Sequence, residues 1–314
     1  MQLIRPDINI NFLENRKKAL TFSAVMIVAS LALIIFKGLN LGIDFTGGTL
    51  VEVRFHQQVE IADIRQSLAP VGYEKAVIQE FGSPEEILIR VQNHEGVEAS
   101  AISTTILDAL TDKFGADQVE MRRVEFVGPQ VGEELKTAGM MAVLYTLIGI
   151  LIYVMVRFKL RFALGADAAI LHDIIIVVGV FSALQLEFSL SVVAALLTVL
   201  GYSLNDTIVV FDRIRENFDA NKKKKNRLDE VTVCNQSINQ TLARTLMTSL
   251  TTLLVVFSLY FLGGEVIHNF AFALLVGIAV GTYSSIFIAS PIMLSLEGKF
   301  EMSEEELKEL ENRP

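Results

Sequence analysis

The chain has 314 residues, 52% of them hydrophobic, a formal net charge of −9 and one cysteine. An apolar share of that size excludes an ordinary water-soluble chain and puts a lipid bilayer first among the environments to test. The single Cys234 also excludes an intrachain disulfide and any multi-cysteine metal site.

Crossing a hydrocarbon core roughly 30 Å thick takes about 20 mostly apolar residues in a helix. Six runs qualify: 19–36, 138–156, 163–184, 188–210, 242–262 and 267–293. Residues 1–18 precede the first, which begins behind Arg16, Lys17 and Lys18 and lacks a small-residue cleavage pattern. It reads as a retained anchor rather than a removable signal peptide.

Residues 37–137 then form one extramembrane domain. It opens on Gly42-Ile43-Asp44-Phe45-Thr46-Gly47-Gly48-Thr49, a glycine turn that lets the chain reverse into its first strand. No lysine stands where a phosphate loop requires one. Residues 49–55 alternate as a strand, and 61–68 have helical spacing. Two strands follow at 75–81 and 87–92, with Gly82, Ser83 and Pro84 as their turn, then a helix over 97–114 and a last strand over 118–126. The order βαββαβ is that of a ferredoxin-like sandwich. His94 and the scattered carboxylates show no metal-ligand spacing and no nucleophile beside a base, so the domain reads as a binding rather than a catalytic unit.

Lysine and arginine fall on one side of the six spans. Arg5 and Arg16 to Lys18 precede the first span; Arg157, Lys159 and Arg161 separate the second and third; Arg213, Arg215, the lysines 222–225 and Arg227 lie in the basic loop 211–241. The opposite short loops, around 185–187 and 263–268, carry neither. The asymmetry places both termini in the cytoplasm and the domain outside. The lysine run reads as a solvated loop near anionic lipid, not a nucleic-acid site. Residues 294–314 form an acidic tail, in which Ser303 and Glu306 predict a capping box for a helix over 304–310.

Ionisable groups inside spans are costly and face a bundle interior or water. Asp206 lies in the fourth span within Gly201-Tyr202-Ser203-Leu204-Asn205-Asp206-Thr207, submerged by about 9 Å at the usual helical rise. Tyr202, Ser203 and Thr198 give that helix a polar stripe. A carboxyl there either ties two helices together or carries charge in a mechanism, and a purely structural tie would be cheaper with a neutral side chain. Arg244 opens the fifth span from the same side and is expected to pair with Asp206. Thr245, Thr248, Ser249, Thr251 and Thr252 follow along that helix. Such hydroxyls either bond back to their own helix or line a hydrated proton path, and both readings stay open. Burial and a nearby guanidinium act on a carboxyl in opposite senses, so moving either one switches its proton affinity. Asp212, Arg213, Arg215 and Glu216 read as a helix-end ion-pair cluster. In the third span Asp167, His172 and Asp173 stand apart. Asp173 is near mid-membrane and is a candidate secondary relay, with Thr248 and Asn205; His172 and Asp173, adjacent in sequence, are expected to point in different directions.

Three motifs carry a resemblance: GIDFTGGT at 42–49, GYSLNDTIVVFDRIREN at 201–217 and RTLMTSLTT at 244–252. With them the chain resembles, over nearly its whole length, the SecF family of bacterial protein-export membrane proteins, within the resistance-nodulation-division superfamily. The resemblance implies a six-helix half of that superfamily's type, a polytopic α-helical membrane protein with an α+β ferredoxin-like periplasmic domain. It further implies a multi-pass place in the bacterial inner membrane, no enzymatic activity, and no cofactor, with protons as the coupling ion. Implied partners are the related SecD subunit, the SecYEG channel, YajC, YidC and exported unfolded polypeptides, but no nucleic acid. The proton motive force is expected to drive late translocation, with Asp206 and Arg244 as proton-pathway residues. Gly42, Asp44, Phe45, Gly47 and Gly48 are the family turn motif. A small-molecule proton antiporter would need a second set of spans in the same chain. An intramembrane aspartyl protease would need Asp206 to form a dyad with Asp173 or Asp167, against which the nearby Arg244 and the lack of a Gly-x-Gly-Asp segment argue.

Overall fold

The computed structural model describes residues 9–92 and 99–296; Arg5, His94 and the 304–310 helix lie outside them. Six helical stretches are long and apolar enough to cross a membrane, making this a multi-pass membrane protein. They are α1 (Arg16–Phe36), α5 (Pro129–Arg157), α6 (Leu160–Leu184), α7 (Leu190–Lys222), α8 (Glu230–Leu262) and the stretch Glu265–Ser295. The last contains α9 (His268–Ser284), a π-helical turn at Ser285–Ala289 and α10 (Ser290–Ser295).

Helices α6, α7 and α9 are half-buried and make the centre, while α1, α5 and α8 stand largely exposed around it. Apolar side chains gain nothing by leaving lipid for protein, so close backbone approach must hold such a bundle. Small residues permit it: a Cβ on Gly281 of α9 would lie 3.1 Å from Ser203 Cβ of α7.

Several helices exceed their apolar runs. Helix α5 starts at Pro129, a position that suits a residue lacking an N–H, well before residue 138. Helices α7 and α8 consume most of the expected basic loop, leaving 223–229 between them. Apolar content reports where lipid is, whereas the helix runs on through 212–222 in water with ion pairs Arg213–Glu216 and Asp212–Arg215. Its successor is capped by Asp229, which accepts from Thr232 N.

The extramembrane domain holds β2 (Gly48–Phe55), α3 (Ile61–Leu68), β3 (Val77–Phe81), β4 (Ser83–Val91), α4 (Ala99–Phe114) and β5 (Val119–Val127). Its sheet runs β3-β4-β2-β5 with every pair antiparallel, the ferredoxin-like arrangement expected. Only the hairpin is tighter than predicted: Gly82 at φ +79° turns alone, and Ser83 and Pro84 already belong to β4. One sheet face packs Val51, Val53, Ile87 and Ile89 against Ile64 and Leu68 of α3 and Ile102, Ile106 and Leu110 of α4. Here water is the alternative solvent, and each such side chain contributes about 1.5–3 kcal/mol. The other face sets Leu50 and Leu88 on Ile43, from the short turn α2 (Ile43–Thr46).

Candidate functional site

Asp206 sits in the middle of α7, and its carboxyl is buried. Its partner comes from α8: Ser249 Oγ donates to Asp206 Oδ2 at 3.3 Å, and Thr282 of α9 donates to Ser249 Oγ at 2.7 Å. Thr248 adjoins the same carboxyl while its hydroxyl bonds back to the carbonyl oxygens of Arg244 and Thr245.

The expected ion pair with Arg244 is not formed. That guanidinium is exposed on α8, because the side of α8 that faces α7 and α9 carries Thr241, Leu242, Thr245 and Ser249. It acts on Asp206 only through space. Asn205 points out of the bundle as well. Thr198, Thr251 and Thr252 bond to their own helices, and Tyr202 Oη is buried without a hydrogen-bond partner among the described residues.

A second carboxyl lies in the same core. Asp173 of α6 is fully buried; its Oδ2 accepts from Ser203 of α7 at 2.6 Å and from Ser284 of α9 at 2.8 Å. Its Oδ1 lies 2.9 Å from His172 Nδ1. The expectation that these two neighbours point apart is therefore wrong, since both side chains bend to meet although their Cα–Cβ bonds diverge. His172 Nε2 is buried with no partner among the described residues. Asp167, on the same helix, keeps Oδ1 buried and unpartnered. Ser284 and Thr282 went unnoticed in the sequence; the hydroxyl-rich run Gly281-Thr282-Tyr283-Ser284-Ser285 was the available signal.

The result is a polar seam across α6, α7, α8 and α9. Hydroxyls both donate and accept, so a seam of carboxyls and hydroxyls can hold protons and pass them on. No group of three or more metal-ligating side chains occurs among the described residues. Asp212 is shared by Arg157 and Arg215 at the end of the bundle, as a helix-end cluster should be.

The glycine turn lies at the other end of α7. Asp44 Oδ2 accepts from Leu190 N at 2.7 Å, at the first residue of α7, whose N-cap Ser189 makes no side-chain cap. Phe45 packs with Phe188 and Val193. A Cβ on Gly42 would lie 2.9 Å from Glu187 Oε1. Gly47 and Gly48 take φ of +66° and +141°; added Cβ atoms would lie 2.9 Å from Pro129 Cα and 2.7 Å from Val91 O. Two adjacent positions thus need glycine for conformation and for space together.

The pattern described as "Protein export membrane protein SecD/SecF, C-terminal" matches residues 106–299, and that of the "SecD/SecF GG Motif" matches 32–59. The chain belongs to the SecD/SecF family. A curated relative, "Protein translocase subunit SecF" of Magnetococcus marinus, is 52% identical, covering 95% of this chain and 95% of its own. The crystal structure of SecDF from Thermus thermophilus, described as a translocon-associated membrane protein, superposes with a TM-score of 0.83 at 39% identity over 94% of this chain. A SecDF structure described as a super-membrane-facing form superposes with a TM-score of 0.69 at 37% identity over the whole chain. This chain spans 40% and 41% of those two chains, so each holds more than a second chain's worth of sequence. The GG-motif match falls on the turn that caps α7.

Proposed function

We propose that the chain is a SecF-type protein translocase subunit that uses proton movement across the bacterial inner membrane to drive late translocation after the ATP-dependent step. The observation that carries this reading is the burial of Asp206 at the centre of the bundle, held by a neutral hydroxyl and by no cation among the described residues. A carboxyl so placed changes charge only by taking or giving a proton. Asp173 with Thr248 is the secondary relay of the same seam; Asn205, directed outward, would serve only through a partner. Protons are the coupling ion, no cofactor is required, and the work is transport rather than enzymatic conversion.

Arg244 supports a heteromer. A guanidinium exposed on a membrane helix needs cover, and the related SecD subunit, fused to this unit in relatives named SecDF, would supply it. A shift of α8 would then bring Arg244 toward or away from Asp206. SecYEG, YajC and YidC complete the assembly, and the extramembrane domain holds the emerging unfolded polypeptide. That one SecDF relative is described as a super-membrane-facing form supports a domain that changes pose. The positive loops support a reading with both termini in the cytoplasm.

The test is export into inverted vesicles carrying the assembled complex, with and without a proton gradient after ATP is exhausted. Asp206→Asn abolishes gradient-driven completion while partner copurification is unchanged, and Asp206→Glu retains part of it. Normal completion by Asp206→Asn would reduce the residue to a structural tie.

A further inference from the structure

Residues 37–44 and the stretch 182–190, from the last turn of α6 to the first residue of α7, are laced together along their length. Lys37 Nζ donates to Ala183 O, Ser182 Oγ to Gly38 O and Asn40 Nδ2 to Gln185 O. Two short strands, β1 (Asn40–Leu41) and β6 (Glu187–Phe188), pair in parallel, Gly42 N donates to Phe188 O, and Asp44 closes the row on the first amide of α7. Because they lie far apart in the chain, these segments gain nothing from local propensity.

Besides the packing of Leu50 and Leu88 on Ile43, the domain reaches this lacing through a polar side chain. Arg90, at the end of β4, is 7% exposed. Its Nη1 donates to Leu41 O at 2.6 Å and Asn40 Oδ1 at 3.4 Å, and its Nη2 lies 3.6 Å from Glu187 Oε2. Arg90 therefore touches both strands of the small ribbon. Burial pushes the Glu187 carboxyl up from the ordinary range and the Arg90 charge opposes that. Elsewhere the β3–β4 turn at Gly82 abuts Glu265 in the α8–α9 turn, without a hydrogen bond among the described residues.

We infer that Asp44, Arg90 and Glu187 are positioning residues of a transmission joint, which converts displacement of the Asp206-bearing helix into movement of the extramembrane domain. Helix α7 is a rigid rod with Asp206 on one length and the Asp44 cap at its end. Displacing the rod carries Leu190 and the ribbon with it, and Arg90 passes that displacement to the central part of the sheet. The family's glycine turn is then the coupling element: Gly47 and Gly48 let Asp44 reach α7 within four residues of the first domain strand.

This rests on the proposed role of Asp206, and the test separates the two. Spin labels at Asp108 of α4 and Val266 beside α9, both exposed, report the domain-to-bundle distance in the full chain assembled with its partner in vesicles, with Cys234 replaced by Ala. Asp206→Asn, mimicking the neutral carboxyl, shifts the distance distribution. In Asp44→Ala or Arg90→Ala backgrounds that shift is lost. Asp44→Asn, which keeps an acceptor for Leu190 N, restores it, whereas a general folding defect would not be rescued in this way. A shift that persists in both alanine backgrounds would overturn the joint and leave the proton reading standing. No shift even in the parent, with gradient-driven export still dependent on Asp206, would also overturn the joint and leave that reading intact.

Discussion

At the scale of single residues, the depth of Asp206 was legible because one carboxyl stood in a run otherwise free of charge. Its partner was not. Whether Arg244 or Ser249 faces Asp206 depends on how α8 is rotated, because the five-residue step from one to the other leaves them about 140° apart around the helix. The hydroxyls of Thr248, Thr251 and Thr252 took the local bond open to any helical threonine, whereas Ser249 found Asp206 only because α8 packs on α7. Magnitudes separate the two carboxyls. Interhelical hydrogen bonds within a bilayer average about 0.6 kcal/mol, with a maximum near 1.7. Ser249→Ala is therefore expected to cost under about 1 kcal/mol in reversible detergent unfolding. Asp173→Ala strips the acceptor from Ser203, Ser284 and His172 at once and is expected to cost roughly 2–4 kcal/mol. Equal losses for the two variants would mean that Asp173 is not the structural centre of the seam.

Among the elements, the six spans and the βαββαβ order followed from apolar runs and alternation. The tighter hairpin and the long aqueous ends of α7 and α8 did not, because neither a single positive-φ glycine nor a solvated helix leaves a hydropathy signal. Asp229 illustrates what such an end depends on. The Thr232 hydroxyl, and then its backbone amide, hold the Asp229 carboxyl below the usual range. A lowered pKa in the folded state means that the cap's contribution is complete above the ordinary aspartate value. It fades as pH falls through the lowered one. Asp229→Ala is expected to cost about 1 kcal/mol at neutral pH, read as faster hydrogen exchange at residues 231–233, with the difference from the parent vanishing in acid. At the glycine turn, Gly47→Ala combines a left-handed φ with a Cβ 2.9 Å from Pro129 Cα. A cost of about 1–3 kcal/mol from backbone strain alone is expected, seen as reduced folded yield in membranes. Unchanged yield would show that the turn relaxes freely.

For the whole molecule, the same inventory explains why one half of the architecture stands alone and the other does not. The extramembrane domain buries its own core, while α1, α5 and α8 leave apolar faces, and the Arg244 guanidinium, outside the bundle. Topology is tested by cysteines introduced at exposed positions in 56–60 and 222–226: only the first set is expected to react with an impermeant thiol reagent applied from outside. The reverse pattern would overturn the orientation and with it the direction assigned to the proposed proton flow. A membrane potential supplies about 2.3 kcal/mol per elementary charge for each 100 mV, enough to bias a two-state domain more than tenfold per proton. On the proposed reading, coupling needs few protons but an obligatory carboxyl. The most direct measurement is proton flux, followed with a trapped pH-sensitive dye in vesicles containing this chain and its SecD-type partner. Flux is predicted to vanish in Asp206→Asn and to persist in part in Asp206→Glu; undiminished flux through Asp206→Asn would contradict proton coupling through this carboxyl.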